Sequence, residues 1–303
     1  MDCRLSIVDW EVFSIINHQS SIINPERRKT MLERLMNIDR RYLFLLIAFS
    51  VVIPMLLKVV FPIFVTPQPK KVYDYIEKLP KGSVVMMSFD YGPGSLAELQ
   101  PMAIAVLRHC FSRGLKVIGM ALWNVGAPLG EEVFNQVATE YGRVYGEDYV
   151  FLGFRPGSTN VILRMGEGIS GVFNTDSRNT PIQQIPMMEN VKTYDDIALV
   201  IDFGAGDPGP EAWVIYAYEK YGQKIAAGVT GVIISQLYPF LQTEQLIGLI
   251  GGLRGAAEYE TQVNKPAKAT QWMSIQSIVH LVIIIMVILG NVAYFVSRRR
   301  TAA

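Results

Sequence analysis

The pattern of apolar and polar residues divides the chain into two long apolar blocks and a patterned region between them. The first block is Tyr42–Val65, in which Lys58 is the only charged residue, and the second is Ile275–Val296, which three arginines follow at 298–300. Each block is long enough to cross a hydrocarbon core of about 30 Å. We therefore predict two transmembrane helices, with a buried core helix as the alternative for each.

The basic residues beside the two apolar blocks predict an orientation in the membrane. Nine lysines and arginines lie on the outer flanks and six on the flanks that face the central region. Because basic flanks stay in the cytoplasm, we expect a cytoplasmic N-terminal segment at 1–41 and a cytoplasmic basic tail at 297–303. The region 66–274 is then extracytoplasmic. A start of translation at Met31 or Met36 remains an open alternative.

Between the two blocks, short apolar runs of strand type alternate with helical patterns. The predicted strands are Ser83–Phe89, Lys116–Leu122, Tyr149–Phe154, Asp196–Phe203 and Lys224–Val229. The predicted helices are Leu96–Arg113, Glu131–Tyr145, Glu211–Tyr221 and Thr243–Val263. Such alternation needs crossover connections, which give a parallel sheet covered by helices. We predict a Rossmann-like α/β domain inserted between the two transmembrane helices.

One segment of the central region, Arg155–Tyr194, does not follow the alternation and is rich in Gly, Asn, Thr and Pro. We expect it to carry one small strand. Segments of this length without regular structure are either functional lids or packed loops, and the sequence leaves both readings open.

Composition and charge exclude several classes of protein. Half of the 303 residues are hydrophobic, 18% are charged and the net charge is +1, so neither a disordered chain nor a nucleic-acid partner is expected. Cys3 and Cys110 are far apart and form no cluster with histidines, which argues against a disulfide framework and a structural zinc site. We assign no metal site and no cofactor.

Polar residues and glycines cluster where the predicted strands end. In open α/β sheets, ligands bind at the carboxyl ends of the strands, so these residues are the candidate ligand-binding set. The set is Asp90, Tyr91, Gly92, Ser95, Trp123, Asn124, Asp202, Gly204, Gly206 and Asp207.

The candidate catalytic residues are the three carboxylates of Asp90, Asp202 and Glu98. Asp90 and Asp202 would supply oxygen ligands to a divalent cation if their strands are neighbours, with Glu98 or Asp207 in support. The alternative is ordinary turn and helix-capping chemistry, in which Asp-Gly and Asp-Pro sequences are common. No histidine falls at a predicted strand end, so a nucleophile activated by histidine is not expected.

Four glycines in the last predicted helix and one intramembrane asparagine suggest an interface. Gly248, Gly251, Gly252 and Gly255 would clear one helical face for another backbone, and Asn291 would seek a hydrogen-bond partner in the membrane. We expect a homo-oligomer on this basis. Close packing of the glycines on the domain's own sheet, and a bond from Asn291 to the first span, are the alternatives.

Several segments resemble an uncharacterised prokaryotic membrane-protein family with this layout. They are SFDYGPGSLAELQPMAIAVLRHCF, EDYVFLGFRPG, DDIALVIDFGAG and GLIGGLRGAAEYE, flanked by the two apolar blocks. The resemblance implies two membrane helices around an α/β domain in a prokaryotic cytoplasmic membrane, and it implies no activity.

Two functions therefore follow as hypotheses. The first is a membrane-anchored binding or assembly module, whose protein or small-molecule partner is unknown beyond the lipid bilayer. The second is a metal-assisted membrane-bound hydrolase or transferase that uses the carboxylates at the strand ends. Carboxylates that converge around an open cavity favour the enzyme, because a shared cation needs convergent oxygens.

Overall fold

The computed structural model describes residues 39–301, with side-chain surroundings for 39–296. The predicted cytoplasmic segment 1–41 therefore lies outside the described residues as far as residue 38, and the basic tail 297–303 is described only as helical backbone up to Thr301. The chain divides into two compact units, one formed by Val59–Ser274 and the other by the segments that precede and follow it.

The first apolar block does not form one long helix, so the prediction of a transmembrane helix over Tyr42–Val65 is wrong. Helix α1 covers Arg40–Leu56, and its 17 residues extend about 25 Å, which is short of the hydrocarbon thickness. Lys58 adopts a left-handed backbone conformation with φ 49°, which ends the helix. Pro62 lacks an N–H donor and further disfavours helix in the following segment.

The second apolar block belongs to the last helix of the chain, Lys268–Thr301. Its part Lys268–Val296 is the one helix among the described residues that is long and apolar enough to cross a membrane. This helix contains the predicted second span, Ile275–Val296. Within residues 39–301 there is thus one such helix where the sequence predicts two.

The Val59–Ser274 unit is built around a six-stranded, fully parallel sheet. The strands are β1 Val84–Asp90, β2 Lys116–Ala121, β3 Tyr149–Phe154, β4 Leu199–Gly204, β5 Ile225–Val229 and β6 Leu246–Gly251. Their spatial order is β3-β2-β1-β4-β5-β6, the order of a doubly wound Rossmann-type sheet. The predicted parallel α/β architecture is confirmed.

Four helices cover one face of this sheet. They are α2 Pro67–Lys78, α3 Leu96–Ser112, α4 Gly126–Tyr141 and α9 Gly252–Gln262. Their apolar side chains join those of alternate strand positions, such as Val85, Met87 and Phe89 of β1, in one core cluster. The strands are apolar on both faces because helices or loops bury both, as parallel sheets require.

The opposite face is covered by shorter pieces. They are α5 Ser158–Met165, α6 Pro210–Trp213 with the π-helical Val214–Tyr218 and α7 Glu219–Tyr221 behind it, and α8 Ile234–Gln242. Segment Arg155–Tyr194 contributes α5 and several 3-10 turns, and its apolar side chains, Ile162, Phe173 and Met187 among them, enter the core of this face. The expected small strand in this segment is wrong, since the segment holds a packed layer with no named strand.

The predicted helix Thr243–Val263 is a strand followed by a helix. Residues Leu246–Gly251 form edge strand β6, which pairs with β5, and only Gly252–Gln262 is helical. The sequence LIGLIG reads as a continuous apolar run because its strand is covered on both faces, and apolar periodicity alone does not separate such a strand from a buried helix.

Candidate functional site

Asp90 and Asp202, called here the aspartate pair, lie on adjacent strands at the carboxyl edge of the sheet. Asp90 is the last residue of β1 and is in register with Gly204 of β4, while Asp202 is in register with Ser88. Because residues two apart on a strand face the same side, Ser88, Asp90 and Asp202 share one face. The expectation that the aspartates lie at the same edge is confirmed.

Asp90 is satisfied by groups of the protein itself. Its Oδ2 accepts a hydrogen bond of 2.7 Å from Ser88 Oγ, and its Oδ1 accepts one of 2.5 Å from the Leu122 N–H. The Trp123 N–H also bonds to this carboxylate. These backbone donors belong to the loop after β2, so Asp90 holds that loop against the end of β1.

Asp202 has no hydrogen-bond donor of its own among the described residues. Both side chains have no exposed surface, and neither Asp202 oxygen accepts from a donor among the described residues. Two ionised carboxylates cannot hydrogen-bond to each other, so a bond between the pair needs a proton on one of them. Burial, together with the charge of Asp90, raises the pKa of Asp202 well above its usual range. Both effects favour the protonated form of Asp202, which can donate to Asp90.

Glycines allow the surrounding loops to close over the aspartate pair. A Cβ at Gly204 would lie 2.6 Å from Pro210 Cδ and 2.9 Å from Asp202 Oδ2. A Cβ at Gly126, the first residue of α4, would overlap the carbonyl oxygen of Phe89. These close approaches bring the β4–α6 loop and the start of α4 against the strand ends, so the pair is enclosed.

An open cleft of about 580 Å³, called here the carboxyl-edge cleft, lies beside the β4–α6 loop. Its walls come from that loop, from the beginning of α5, from the π-helical turn and from the segment that leads into α8. The lining residues are Ser158, Thr159, Gly206, Asp207, Pro208, Gly209, Pro210, Glu211, Ala212, Ile215, Tyr216, Ile233, Gln236 and Leu237. The cleft is the part of this edge where a molecule from solvent can meet several loops at once.

Trp123 links the β4–α6 loop, which lines the cleft, to the loop after β2. Its indole Nε1 donates a hydrogen bond of 2.8 Å to the carbonyl oxygen of Pro208, and the ring lies beside Gly206. The peptide bond between Asp207 and Pro208 is cis. Asp207 is exposed on this loop and lines the cleft. Three predicted residues, Trp123, Gly206 and Asp207, are thus brought together here.

The other predicted ligand-binding residues do not line the carboxyl-edge cleft. Tyr91 is buried, and its hydroxyl donates to Gln100 Oε1 at 2.5 Å. A Cβ at Gly92 would lie 3.2 Å from Val125, and Ser95 precedes α3 without a capping bond from its side chain. Asn124 is exposed in the turn before α4.

Glu98 is separate from the aspartate pair. Its Oε2 accepts a hydrogen bond of 2.8 Å from the Gly231 N–H, so it holds the loop after β5. Among the described residues, no group of three or more His, Cys, Asp or Glu side chains could hold a metal ion. The predicted catalytic trio therefore does not assemble around one point.

The predicted interface glycines pack inside their own unit. A Cβ at Gly248 would lie 2.7 Å from the Gln68 carbonyl oxygen, and one at Gly255 would lie 3.1 Å from the backbone of Ile250. Gly251 faces Ile234 in the same way, and Gly252 adopts φ +61° at the turn from β6 to α9. The prediction that the four glycines lie on one helical face is wrong, because Gly248 and Gly251 belong to strand β6.

Asn291 also finds a partner close by. Its Nδ2 donates 2.8 Å to the Val287 carbonyl oxygen of the same helix. Neither the glycines nor Asn291 requires a second copy of the chain to satisfy its packing or hydrogen bonding.

His109 lies in α3 on the helical side of the sheet. Its two ring nitrogens are 2.8 Å from the Tyr259 hydroxyl and 2.9 Å from Glu77 Oε1, and burial lowers its pKa. These contacts join α2, α3 and α9, and none of them involves a residue of the cleft. The sequence-based exclusion of His109 from the candidate site agrees with this placement.

Most of the cleft was not predicted from the sequence. Residues 230–242 carry no predicted element, yet they supply Ile233, Gln236 and Leu237. Ser158 and Thr159 lie in the irregular segment for which only a lid or a loop was foreseen. Glycine followed by Ser-Thr at 157–159 is a helix-start signal that would have pointed to α5.

Comparisons with known proteins assign no family to the chain. No protein-family model matches the chain, and no curated protein matches it. A search of solved structures finds a trehalose-6-phosphate synthase, OtsA, with a TM-score of 0.31 and 9% sequence identity. The alignment covers 80% of this chain and 48% of that one, so the chain spans about half the length of this neighbour.

Proposed function

We propose that the protein is a membrane-anchored α/β binding module whose ligand occupies the carboxyl-edge cleft. The observation that carries this proposal is the position of the cleft at the carboxyl ends of the strands beside β4. The order of the sheet reverses between β1 and β4, and ligands of open α/β sheets bind next to such a reversal.

The cleft lining indicates the class of ligand. Asp207 and Glu211 are exposed carboxylates, and no lysine or arginine is among the described residues that line the cleft. An anionic ligand would be repelled. Hydroxyls and an amide, from Ser158, Thr159 and Gln236, offer donors and acceptors above apolar side chains. This combination suits a small hydroxylated molecule that carries no negative charge.

A pair of neighbouring substitutions tests the cleft. Gln236 and Ser235 are both exposed on α8, and only Gln236 lines the cleft. We expect sugars, polyols or amino alcohols from a defined library to raise the unfolding temperature of the wild type and of Ser235→Trp. Gln236→Trp should abolish the shift because its ring fills the cleft. A library that stabilises all three proteins equally, or none, would contradict the proposal.

The membrane attachment is a second part of the proposal. The apolar helix Lys268–Val296 anchors the unit, and α1 with the apolar segment after it accompanies the anchor, with both termini in the cytoplasm. Support comes from the length of this helix and from the basic flanks. Resistance to alkaline extraction from membranes tests the anchor. Labelling of Ser177→Cys by an impermeant reagent tests the orientation, since labelling only after lysis would place the domain in the cytoplasm.

Metal-assisted hydrolysis or group transfer is the second candidate, because Asp90 and Asp202 meet on adjacent strands. Its weakness is geometric, since both carboxyls are buried and Asp90 already accepts protein hydrogen bonds. A cation bound by the folded chain at a hundred times its dissociation constant would stabilise it by about 2.7 kcal/mol. A Mg²⁺-dependent rise in unfolding temperature that Asp202→Asn removes would favour the enzyme over the binding module.

A further inference from the structure

A second cavity of about 430 Å³ lies at the end of β3 and is called here the arginine pocket. It is lined by Arg155, Pro156, Asn160, Val161, Arg164, Gly171, Val172 and Asn174. Helix α5 lies between the two cavities, because its first residues line the carboxyl-edge cleft and its later ones line this pocket. None of these pocket residues belongs to the candidate set predicted from the sequence.

Both guanidinium groups are held in place by the protein. Arg155 lies over the ring of Phe173, with 5.3 Å between its Cζ and the ring centroid, and Phe173 is fully buried. Arg164 donates a hydrogen bond of 3.2 Å from Nη2 to the Gly171 carbonyl oxygen. Fixed guanidinium groups lose less conformational entropy when an anion binds, which favours a binding role.

Neither arginine has a carboxylate partner among the described residues. Two acids close in sequence to the pocket residues are engaged elsewhere: Glu167 pairs with Lys220, and Asp176 accepts from Tyr145 and from backbone N–H groups. The Arg155 Nε is also buried and donates to no acceptor in the described part of the chain. The two positive charges are therefore uncompensated by the protein.

We propose that the arginine pocket binds a phosphate group, carried by a small monoester or by a lipid headgroup. Two guanidinium forks and the amides of Asn160 and Asn174 present more N–H donors than the two oxygens of a carboxylate can use. A phosphate offers three terminal oxygens and a charge near −2, and arginine matches its geometry. The cavity also exceeds the size of a bare phosphate. This pocket is independent of the function proposed for the carboxyl-edge cleft.

Inorganic phosphate is the first probe, used with the full chain in mild detergent and with chloride at matched ionic strength. The variants are Arg155→Gln, Arg164→Gln and, as a control outside the pocket, Arg178→Gln, whose guanidinium lies over Tyr145. We expect phosphate to raise the unfolding temperature of the wild type and of the control. Loss of either pocket arginine should weaken phosphate binding about tenfold or more.

Arg164 is exposed, so Arg164→Gln decides the matter if Arg155→Gln fails to fold. Two further arms separate the sources of phosphate: glycerol 3-phosphate in solution, and vesicles of phosphatidylcholine with or without phosphatidic acid. Binding of glycerol 3-phosphate or of the phosphatidic acid vesicles that requires Arg164 supports the pocket. The arm in which binding occurs identifies the class of ligand. Equal stabilisation by chloride, or phosphate binding that Arg164→Gln leaves unchanged, would overturn the proposal.

Discussion

The aspartate pair and the carboxyl-edge cleft occupy the same edge of one sheet, but the pair is enclosed by the protein and the cleft is open to solvent. Asp90 and Asp202 have no exposed surface, and closed loops cover them. Asp207 and Glu211 are exposed, and the cleft between their loop and α8 is open. We infer that the pair organises the loops and that the cleft receives the ligand.

This difference shows that a residue type at a strand end does not by itself make a binding site. Asp90 and Asp202 are the most suggestive acids in the sequence, because each ends an apolar run. In the fold, Asp90 at the end of β1 accepts hydrogen bonds from the Leu122 N–H and the Ser88 hydroxyl. The β4–α6 loop covers Asp202. Because Asp90 and Asp202 are enclosed, they support the surrounding loops and do not face solvent as ligands of a cation would.

The largest expected effect follows from removing the acceptor at the centre of the pair. Asp90→Ala leaves the Leu122 N–H, the Ser88 hydroxyl and the Asp202 carboxyl buried without their acceptor. We expect the free energy of unfolding to fall by about 3 kcal/mol or more, since each unsatisfied buried group costs about 1–3 kcal/mol. Denaturant unfolding measures the loss. A variant as stable as the wild type would mean that the pair does not support the loops.

The pair should also make stability depend on pH. Unfolded carboxyls titrate near pH 4, whereas burial raises the pKa of Asp202 and Asp90 in the folded chain. Above about pH 4 the folded chain therefore binds more protons than the unfolded chain, and the free energy of unfolding falls as the pH rises. The slope approaches about 1.4 kcal/mol per pH unit for one proton.

Asp202→Asn should flatten this slope, because the amide donates to Asp90 without a titrating proton. Thermal unfolding of both proteins between about pH 5 and about pH 8 compares them directly. Asp207→Asn, which makes the same change at an exposed aspartate of the same sheet edge, serves as the control. Parallel curves for the wild type and Asp202→Asn would show that Asp202 is not the protonated partner.

The smallest effect on stability is expected in the cleft. Glu211→Gln removes an exposed charge, so the free energy of unfolding should change by no more than about 0.5 kcal/mol. Its affinity for a positively charged ligand should fall, while its affinity for a neutral ligand should change little. Calorimetric titration with an amino alcohol and the matching polyol checks this contrast. A large loss of stability in Glu211→Gln would place the cleft wall in the same structural role as the aspartate pair.

Much of the fold could be predicted because parallel strands carry a local signal. The runs that became β1 to β5 are apolar and β-branched, and helical patterns separate most of them. β6 was misread because LIGLIG is apolar at every non-glycine position, which a helix and a covered strand share. The block after Lys58 was misread because composition does not show where a left-handed residue stops a helix.

The site was harder to predict because a cleft depends on tertiary placement. Gly206 and Asp207 could be found from their position after a strand. Gln236 and Ser158 could not, since they are far apart in the sequence and only the crossover connections bring them to one edge. The enclosure of Asp202 likewise depends on contacts with Pro210 and Gly209 that no local pattern reveals.

A structure of the full chain crystallised with Mg²⁺ and a stabilising hydroxylated compound would test the central claim most directly. We predict electron density for the compound in the cleft between Asp207 and Gln236, with Asp90 still bound to Ser88 and Leu122 and no cation between the aspartates. Density for a cation at Asp90 and Asp202, with the cleft empty, would contradict it and would favour the enzyme.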